Sequence, residues 1–227
     1  MAETNALVLF DIDGTLIRRA GPHHRQALVD AIRGTTGVET TTDGVPVAGM
    51  LDREILNTMM LRAGMKPGRI RRALPEIMRQ APLLYARSCP DLQRKVCPGV
   101  RQLLRGLHSR GATVGLVTGN LSRIGWKKMD HAGLRSYFGF GAFAEHAKDR
   151  AGLVRLAVRQ ARREGWIDKS AKITLIGDHP NDIRAARANK IRVVAVATGL
   201  VSMEELAEHS PDVLVLDLRS LKLEMLL

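Results

Sequence analysis

Two aspartates stand two residues apart in "LVLFDIDGTL" (7–16): Asp11 and Asp13, with Gly14 directly behind. The four residues before them, Leu7 to Phe10, have the character of a buried strand. Like charges held close at the end of such a strand are costly to desolvate, so they need a compensating partner. Further along, "LVTGN" (116–120) brings Thr118 and Gly119, and "EHAKDR" (145–150) brings Lys148 and Arg150. "GDHPND" (177–182) brings Asp178 and Asp182. Several acids, one small hydroxyl and one cation suit a hard divalent metal together with a phosphate. Carboxylates hold Mg²⁺, while a cation, a hydroxyl and backbone N–H groups take the phosphoryl oxygens. Taken singly, each group has a plainer use. The first pair could shape a turn, Thr118 could be an ordinary β-branched strand residue, and Asp178 and Asp182 could cap a helix. It is their joint occurrence that points to chemistry.

The elements around these residues explain how they could meet. Short apolar runs read as strands at 6–10, 112–118, 172–177, 192–198 and 212–217. Helical patterns fall at 99–110, 121–132, 149–164, 180–189 and 202–208. Alternating strands and helices imply an α/β fold with a doubly wound, Rossmann-like parallel sheet. In such a sheet, ligands bind outside the C-terminal strand ends, where every group named above falls. Residues 17–95 break the rhythm. They read as helices at 23–34, 51–63, 68–80 and 82–89, punctuated by Gly and Pro. So long a stretch is not a loop in a compact sheet, and it reads as an inserted helical cap domain. The core domain is then 1–16 together with 96–227. Met59, Met60 and Met65 are expected in the core of the cap, and His23 and His24 on its surface.

Composition narrows the partners. The chain has 227 residues, 45% of them hydrophobic, with a formal charge of +12. The charge invites a nucleic-acid reading, but the basic residues are scattered and aromatics are only 4%, too few for a base-stacking platform. No nucleic-acid partner is expected, and a basic surface that draws in anionic substrates fits better. No apolar run reaches the roughly 20 residues that span a bilayer, so no membrane partner is expected. Cys89 and Cys97 read as free thiols in a reducing compartment, and the polar start "MAETNA" carries no targeting pattern. A cytoplasmic monomer or homodimer is the expectation. "GFGAFA" (139–144) fits a glycine-rich dinucleotide pattern but follows no first strand and opens no long helix, so that site is not expected.

In order and spacing, the motifs resemble those of the haloacid dehalogenase superfamily, in its phosphatase branch with an α-helical cap. "DIDGTL" is similar to the first motif, "LVTGN" to the second and "LIGDHPNDIRAARA" to the fourth. The likeness extends to "PGV" (98–100) and "ATGLVSMEEL" (197–206), and so across essentially the whole chain. The resemblance implies Asp11 as nucleophile, forming an aspartyl-phosphate, and Asp13 as general acid and base. It implies Mg²⁺ held by Asp11, the Asp13 carbonyl and Asp178, with Asp182 orienting a metal-bound water or supporting the site. Thr118 and the Gly119 amide would hold phosphoryl oxygens, and Gly14 would let the backbone pass close to them. The third motif departs from the family pattern, which has Lys followed by Pro. Counting back from Ala157 favours Lys148 for its cation, with Arg150 as the competitor.

The function expected is a Mg²⁺-dependent phosphatase acting on a small phosphorylated metabolite. "VAGMLDREIL" (47–56) resembles the cap stretch of phosphoglycolate-phosphatase-like members, which favours that substrate. A β-phosphoglucomutase-like sugar-phosphate mutase and a non-enzymatic basic binding protein are the alternatives. A dehalogenase is disfavoured by the presence of Asp13, and a phospho-acceptor receiver domain by the long insertion.

Overall fold

In the computed structural model, which describes residues 5–18 and 21–227, six strands form one parallel sheet. They are β1 (Ala6–Phe10), β2 (Thr113–Val117), β3 (Phe140–Ala142), β4 (Lys172–Gly177), β5 (Arg192–Val196) and β6 (Val213–Val215). Their order is β3-β2-β1-β4-β5-β6. The order reverses between β1 and β4, and this is the crevice where an open α/β sheet takes its ligand. Phe10 is in register with Leu116 of β2 and Ile176 of β4, so the carboxyl ends of the three central strands lie level.

Every residue of β1 is buried, because both faces of the sheet are covered. Successive side chains alternate: Leu7 and Leu9 join one apolar cluster, Val8 and Phe10 the other. The connecting helices are α4 (Val100–Ser109), α5 (Ser122–His131), α6 (Arg150–Arg163), α7 (Pro180–Ala188) and α8 (Met203–Glu208). β3 lies within the "GFGAFA" stretch. With only three residues, one of them glycine, it has no periodicity to announce it, and it extends the sheet as a short edge strand beyond β2.

Between β1 and α4 lie α1 (His23–Thr36), α2 (Asp52–Arg62) and α3 (Pro67–Ser88). Two helices are expected at 68–80 and 82–89, but a single helix spans both and runs through Pro75 and Pro82. Each proline deprives the carbonyl four residues earlier of its ladder bond. Continuity is held instead by packing, since Ile70, Ile77, Ala81 and Tyr85 form a buried stripe facing α1 and α2. Met59, Met60 and Met65 are buried in the same cluster, as the sequence implies. That cluster continues through Leu51, Leu121 and Ile124 to the sheet face carrying Leu7 and Leu9. The two chain segments that join the insertion to the sheet run side by side. Ile17 pairs with Val96 in antiparallel fashion, and the Arg18 N–H donates to the Lys95 carbonyl at 2.7 Å.

Cys89 and Cys97 are free thiols. Among the described residues no helix is long and apolar enough to cross a membrane. Residues 1–4 of the polar start, and Arg19 and Ala20 of the insertion, lie outside the described residues.

The stripe on α3 makes a stability prediction. Ile77→Ala removes a fully buried side chain and should cost about 2–5 kcal/mol in denaturant unfolding. Leu83→Ala, at a position 40% exposed, should stay within about 0.5 kcal/mol. Equal costs would show that packing on the stripe is not what carries the helix past its prolines.

Candidate active site

The backbone leaving β1 brings both of its aspartates to the sheet edge. The Asp11 N–H donates to the Ile176 carbonyl at 3.0 Å, which extends the pairing with β4 by one residue. Alternation then sends Ile12 into the core beside Phe10, and Asp11 and Asp13 both line one cavity of about 960 Å³. Gly14 has φ +89°, and a Cβ there would collide with the Asp178 carboxylate. Glycine is therefore required on two counts, for the turn and for the close approach of β1 and β4. Thr15 donates its hydroxyl to Asp178 Oδ1 at 3.2 Å.

β4 delivers Asp178 directly, while Asp182 arrives one helical turn later on α7. The His179 ring nitrogen Nδ1 accepts from the Asn181 N–H, and Asp182 Oδ2 accepts from the His179 N–H at 3.2 Å. Asp182 thus does cap its helix. Its other oxygen accepts from Arg150 Nη1 at 2.6 Å. The same Nη1 lies 3.3 Å from Asp11 Oδ1, so one guanidinium spans the two acids.

Arg150 is the first residue of α6, where the Asp149 side chain caps the helix by accepting from the Gly152 N–H. It is buried, and its Nε has no hydrogen-bond partner among the described residues. Lys148, favoured for this cation from the sequence, is exposed in the preceding loop and lines no part of the cavity. Counting back from Ala157 overshoots because the helix begins only at Arg150. Side chains in a first turn lean toward the helix N-terminus, here toward the strand ends, whereas a loop lysine is free to hydrate its charge.

Thr118 and Gly119 follow β2. The Thr118 N–H donates to the Ala142 carbonyl at 3.1 Å, and its buried hydroxyl accepts from Asn120 Nδ2 at 2.8 Å. A Cβ on Gly119 would collide with the Met50 carbonyl of the insertion. The Asp52 N–H donates to the Gly119 carbonyl at 2.7 Å.

Asp13 has partners that sequence reasoning did not find. Lys128 Nζ donates to both of its carboxylate oxygens, at 2.7 and 2.6 Å, and Asn120 Nδ2 donates to Oδ2 at 2.8 Å. The signal for Lys128 was present. It lies in register with Ile124, Gly125 and Met129 on the buried face of α5, where an unpaired lysine is almost never found. His24, expected on the surface, bonds instead to Asp52 and Lys128.

These surroundings drive the two first-motif aspartates in opposite directions. Burial pushes the Asp11 carboxyl up to about 6; Arg150 works against this, and Asp182 and Asp13 add to it. Asp13 is also penalised by burial, but Lys128 and Asn120 outweigh this and hold it below the usual carboxylate range. Asp178 is raised well above that range by burial and by Asp11 and Asp182, and Asp182 is raised by burial against the pull of Arg150. Burial alone would lower Arg150, yet the carboxylates of Asp182 and Asp11 raise it above its ordinary value.

The carboxylates of Asp11, Asp178 and Asp182 offer ligand atoms within 4.8 Å of one another, a donor set suited to a hard cation. Asp182 already serves Arg150 and the His179 amide, which leaves Asp11 and Asp178 as the freer donors. A divalent ion would relieve the repulsion that raises both. The unpartnered Arg150 Nε adds a buried donor suited to an anion beside Asp11.

Comparison with known proteins agrees with this geometry. A family model for haloacid dehalogenase-like hydrolases matches residues 6–189. Among curated relatives, a phosphoglycolate phosphatase of Synechococcus elongatus is 29% identical over 212 residues, covering 90% of each chain. Among solved structures, CbbY from Rhodobacter sphaeroides has a TM-score of 0.75 at 18% identity, covering 96% of each chain. A β-phosphoglucomutase from Clostridium difficile has a TM-score of 0.69 at 20% identity, with 98% of this chain and 95% of that one covered. The structural likenesses speak for the fold, and the family match reaches from β1 through α7, across Asp11, Asp13, Asp178 and Asp182. The chain belongs to the haloacid dehalogenase-like hydrolases, in their phosphatase branch.

Proposed function

We propose that the protein is a Mg²⁺-dependent phosphatase that cleaves a small phosphorylated metabolite through an aspartyl-phosphate on Asp11. The observation that carries this reading is the environment of Asp11. It is a buried carboxylate beside a buried guanidinium with an unpartnered Nε, two residues from a second carboxylate held by a different cation. Asp11, Asp178 and the backbone carbonyl of Asp13 would hold the metal. When bound, Mg²⁺ supplies positive charge that eases the approach of two anions.

The residues of the chain do the rest. Asp11 attacks phosphorus with a carboxylate oxygen, forming a P–O bond as the bond to the leaving oxygen breaks. Asp13 gives its proton to that leaving oxygen, then takes one from the water that hydrolyses the aspartyl-phosphate. An incoming phosphate dianion opposes the pull of Lys128 on Asp13 and favours the protonated form needed for the first step. Arg150, the Thr118 hydroxyl and the Gly119 amide hold the phosphoryl oxygens. Asp182 keeps Arg150 in place.

For the substrate we favour phosphoglycolate. Arg18, Arg25 and Lys95 also line the cavity, which suits a leaving group with its own negative charge, and the relative from Synechococcus elongatus is a phosphoglycolate phosphatase. A charged hydrogen bond is worth about 1.5–3 kcal/mol, so kcat/KM for phosphoglycolate should exceed that for ethyl phosphate by about tenfold or more. Parity would remove phosphoglycolate. Asp11→Asn should lower hydrolysis of both by roughly 10⁴ or more while the thermal midpoint is retained. Unchanged turnover would remove Asp11 as nucleophile.

The cation has its own test. Arg150→Ala should reduce kcat by roughly 10²–10³, whereas Lys148→Ala should leave it within about twofold. The reverse ranking would return the role to Lys148.

Metal binding should also be visible without turnover. The Asp11 pKa is raised from 3.8 to about 6 on folding, so in metal-free protein its contribution to stability is full below pH 3.8 and lost as pH rises through about 6. Mg²⁺ binding relieves the same repulsion. Thermal melts should therefore show a larger Mg²⁺-induced rise in Tm at pH 7.5 than at pH 5, and Asp11→Asn should reduce the difference. No Mg²⁺ effect at either pH would defeat the metal assignment.

A further inference from the structure

The cluster around Lys128 does more than the proposed chemistry so far requires. Its side chain is 1% exposed, and its ammonium has three protons to place. Three residues receive them: Asp13 at 2.7 and 2.6 Å, Asn120 Oδ1 at 2.6 Å, and His24 Nδ1 at 3.2 Å. Asn120 is oriented by the same contact. With its oxygen toward Lys128, its nitrogen donates to both Asp13 Oδ2 and the Thr118 hydroxyl.

The histidine can be read by elimination. Nδ1 faces an ammonium and must accept, so the ring proton sits on Nε2, which donates to Asp52 Oδ2 at 3.0 Å. That oxygen also accepts from the Leu121 N–H at 2.8 Å. An unbroken chain of hydrogen bonds therefore runs from Asp13 through Lys128, His24 and Asp52 back to the loop after β2. His24 and Asp52 belong to the insertion; Asp13 follows β1, Lys128 lies on α5, and Leu121 closes the loop after β2.

A buried ion pair is a poor source of stability when an apolar residue could fill the same volume. What this one provides is orientation. The Asp13 side chain is 38% exposed, its carboxylate held on one side by Lys128 and Asn120 while still lining the cavity.

We propose that Lys128 is a positioning residue for proton transfer at Asp13, and that the helical insertion completes the arrangement through His24 and Asp52. The proposal rests on the phosphatase reading above. In the step concerned, Asp13 passes its own proton to the leaving oxygen as the P–O bond breaks, and Lys128 keeps all of its protons. Asp13 also serves the later water step, but that step is common to every substrate and does not enter kcat/KM. Within kcat/KM the aim of its carboxyl matters only when the leaving oxygen needs a proton. Loss of Lys128 should therefore be felt in proportion to the basicity of the leaving group.

The test compares two substrates at saturating Mg²⁺: ethyl phosphate, whose alkoxide must be protonated, and 2,4-dinitrophenyl phosphate, whose phenolate need not be. Lys128→Met keeps the length and burial of the side chain. It should lower kcat/KM on ethyl phosphate by about 100-fold, within the range of general-acid catalysis. On 2,4-dinitrophenyl phosphate it should stay within about threefold. His24→Leu, which leaves the core intact, should show the same selectivity at about tenfold, and it reads the proposal even if Lys128→Met fails to fold. The double variant should lose no more than Lys128→Met alone, because the two residues act through one contact. Equal losses on both substrates, or no loss on either, would overturn the proposal. Absence of wild-type turnover on both would overturn the phosphatase reading and this inference with it, an outcome distinguishable from either of the others.

Discussion

Three carboxylates converge where the strand order reverses, and much of the site can be understood as the management of their repulsion. Asp11 ends the pairing of β1, Asp178 ends β4, and Asp182 caps the helix that follows. None is far enough into solvent for water to screen it. The fold answers from three sides. Arg150 enters from the start of α6 and spans two of the acids, Thr15 donates to the third, and Gly14 and Gly199 leave room around it by carrying no side chain. The remaining imbalance, visible in the raised Asp11 and Asp178, is what a divalent cation would correct.

Against that background the first-motif aspartates are not equivalent. They share a residue type and a turn, yet each has its own cation, and burial prevails at Asp11 while at Asp13 it is outweighed by Lys128 together with Asn120. Environments that push two titratable groups apart suit them to different roles, as the mechanism proposed for Asp11 and Asp13 requires. Here the separation follows from geometry set elsewhere. α6 begins where Arg150 can reach Asp11, and α5 buries the face that carries Lys128.

The sheet and the acids were legible in the sequence because both rest on local patterns. Buried parallel strands read as apolar runs, and Asp11, Asp13, Asp178 and Asp182 stand at their ends. What stayed hidden depends on contacts between distant segments. Lys148 and Arg150 differ only by where a helix begins, a boundary uncertain by more than the two residues that separate them. The prolines of α3 carry a local signal to stop, which tertiary packing along Ile70, Ile77 and Tyr85 overrides. β3 is too short to show a period. Lys128 and His24 look like ordinary polar residues until α1 and α5 are brought together, although a lysine in phase with Ile124 and Met129 was a mark that could have been read.

The paired segments at Ile17 and Val96 have a consequence of another kind. The chain leaves the sheet and returns to it at nearly one point, so the distance the insertion must bridge is about that between hydrogen-bonded neighbours. Closing a loop across so small a gap depends only weakly on how long the loop is. The segment between these positions can grow, shrink or be exchanged without moving the ends of β1 or α4. Molecular recognition is thus free to diversify with whatever polypeptide is hung from this junction, provided the replacement returns partners such as His24 and Asp52 to the loop after β2.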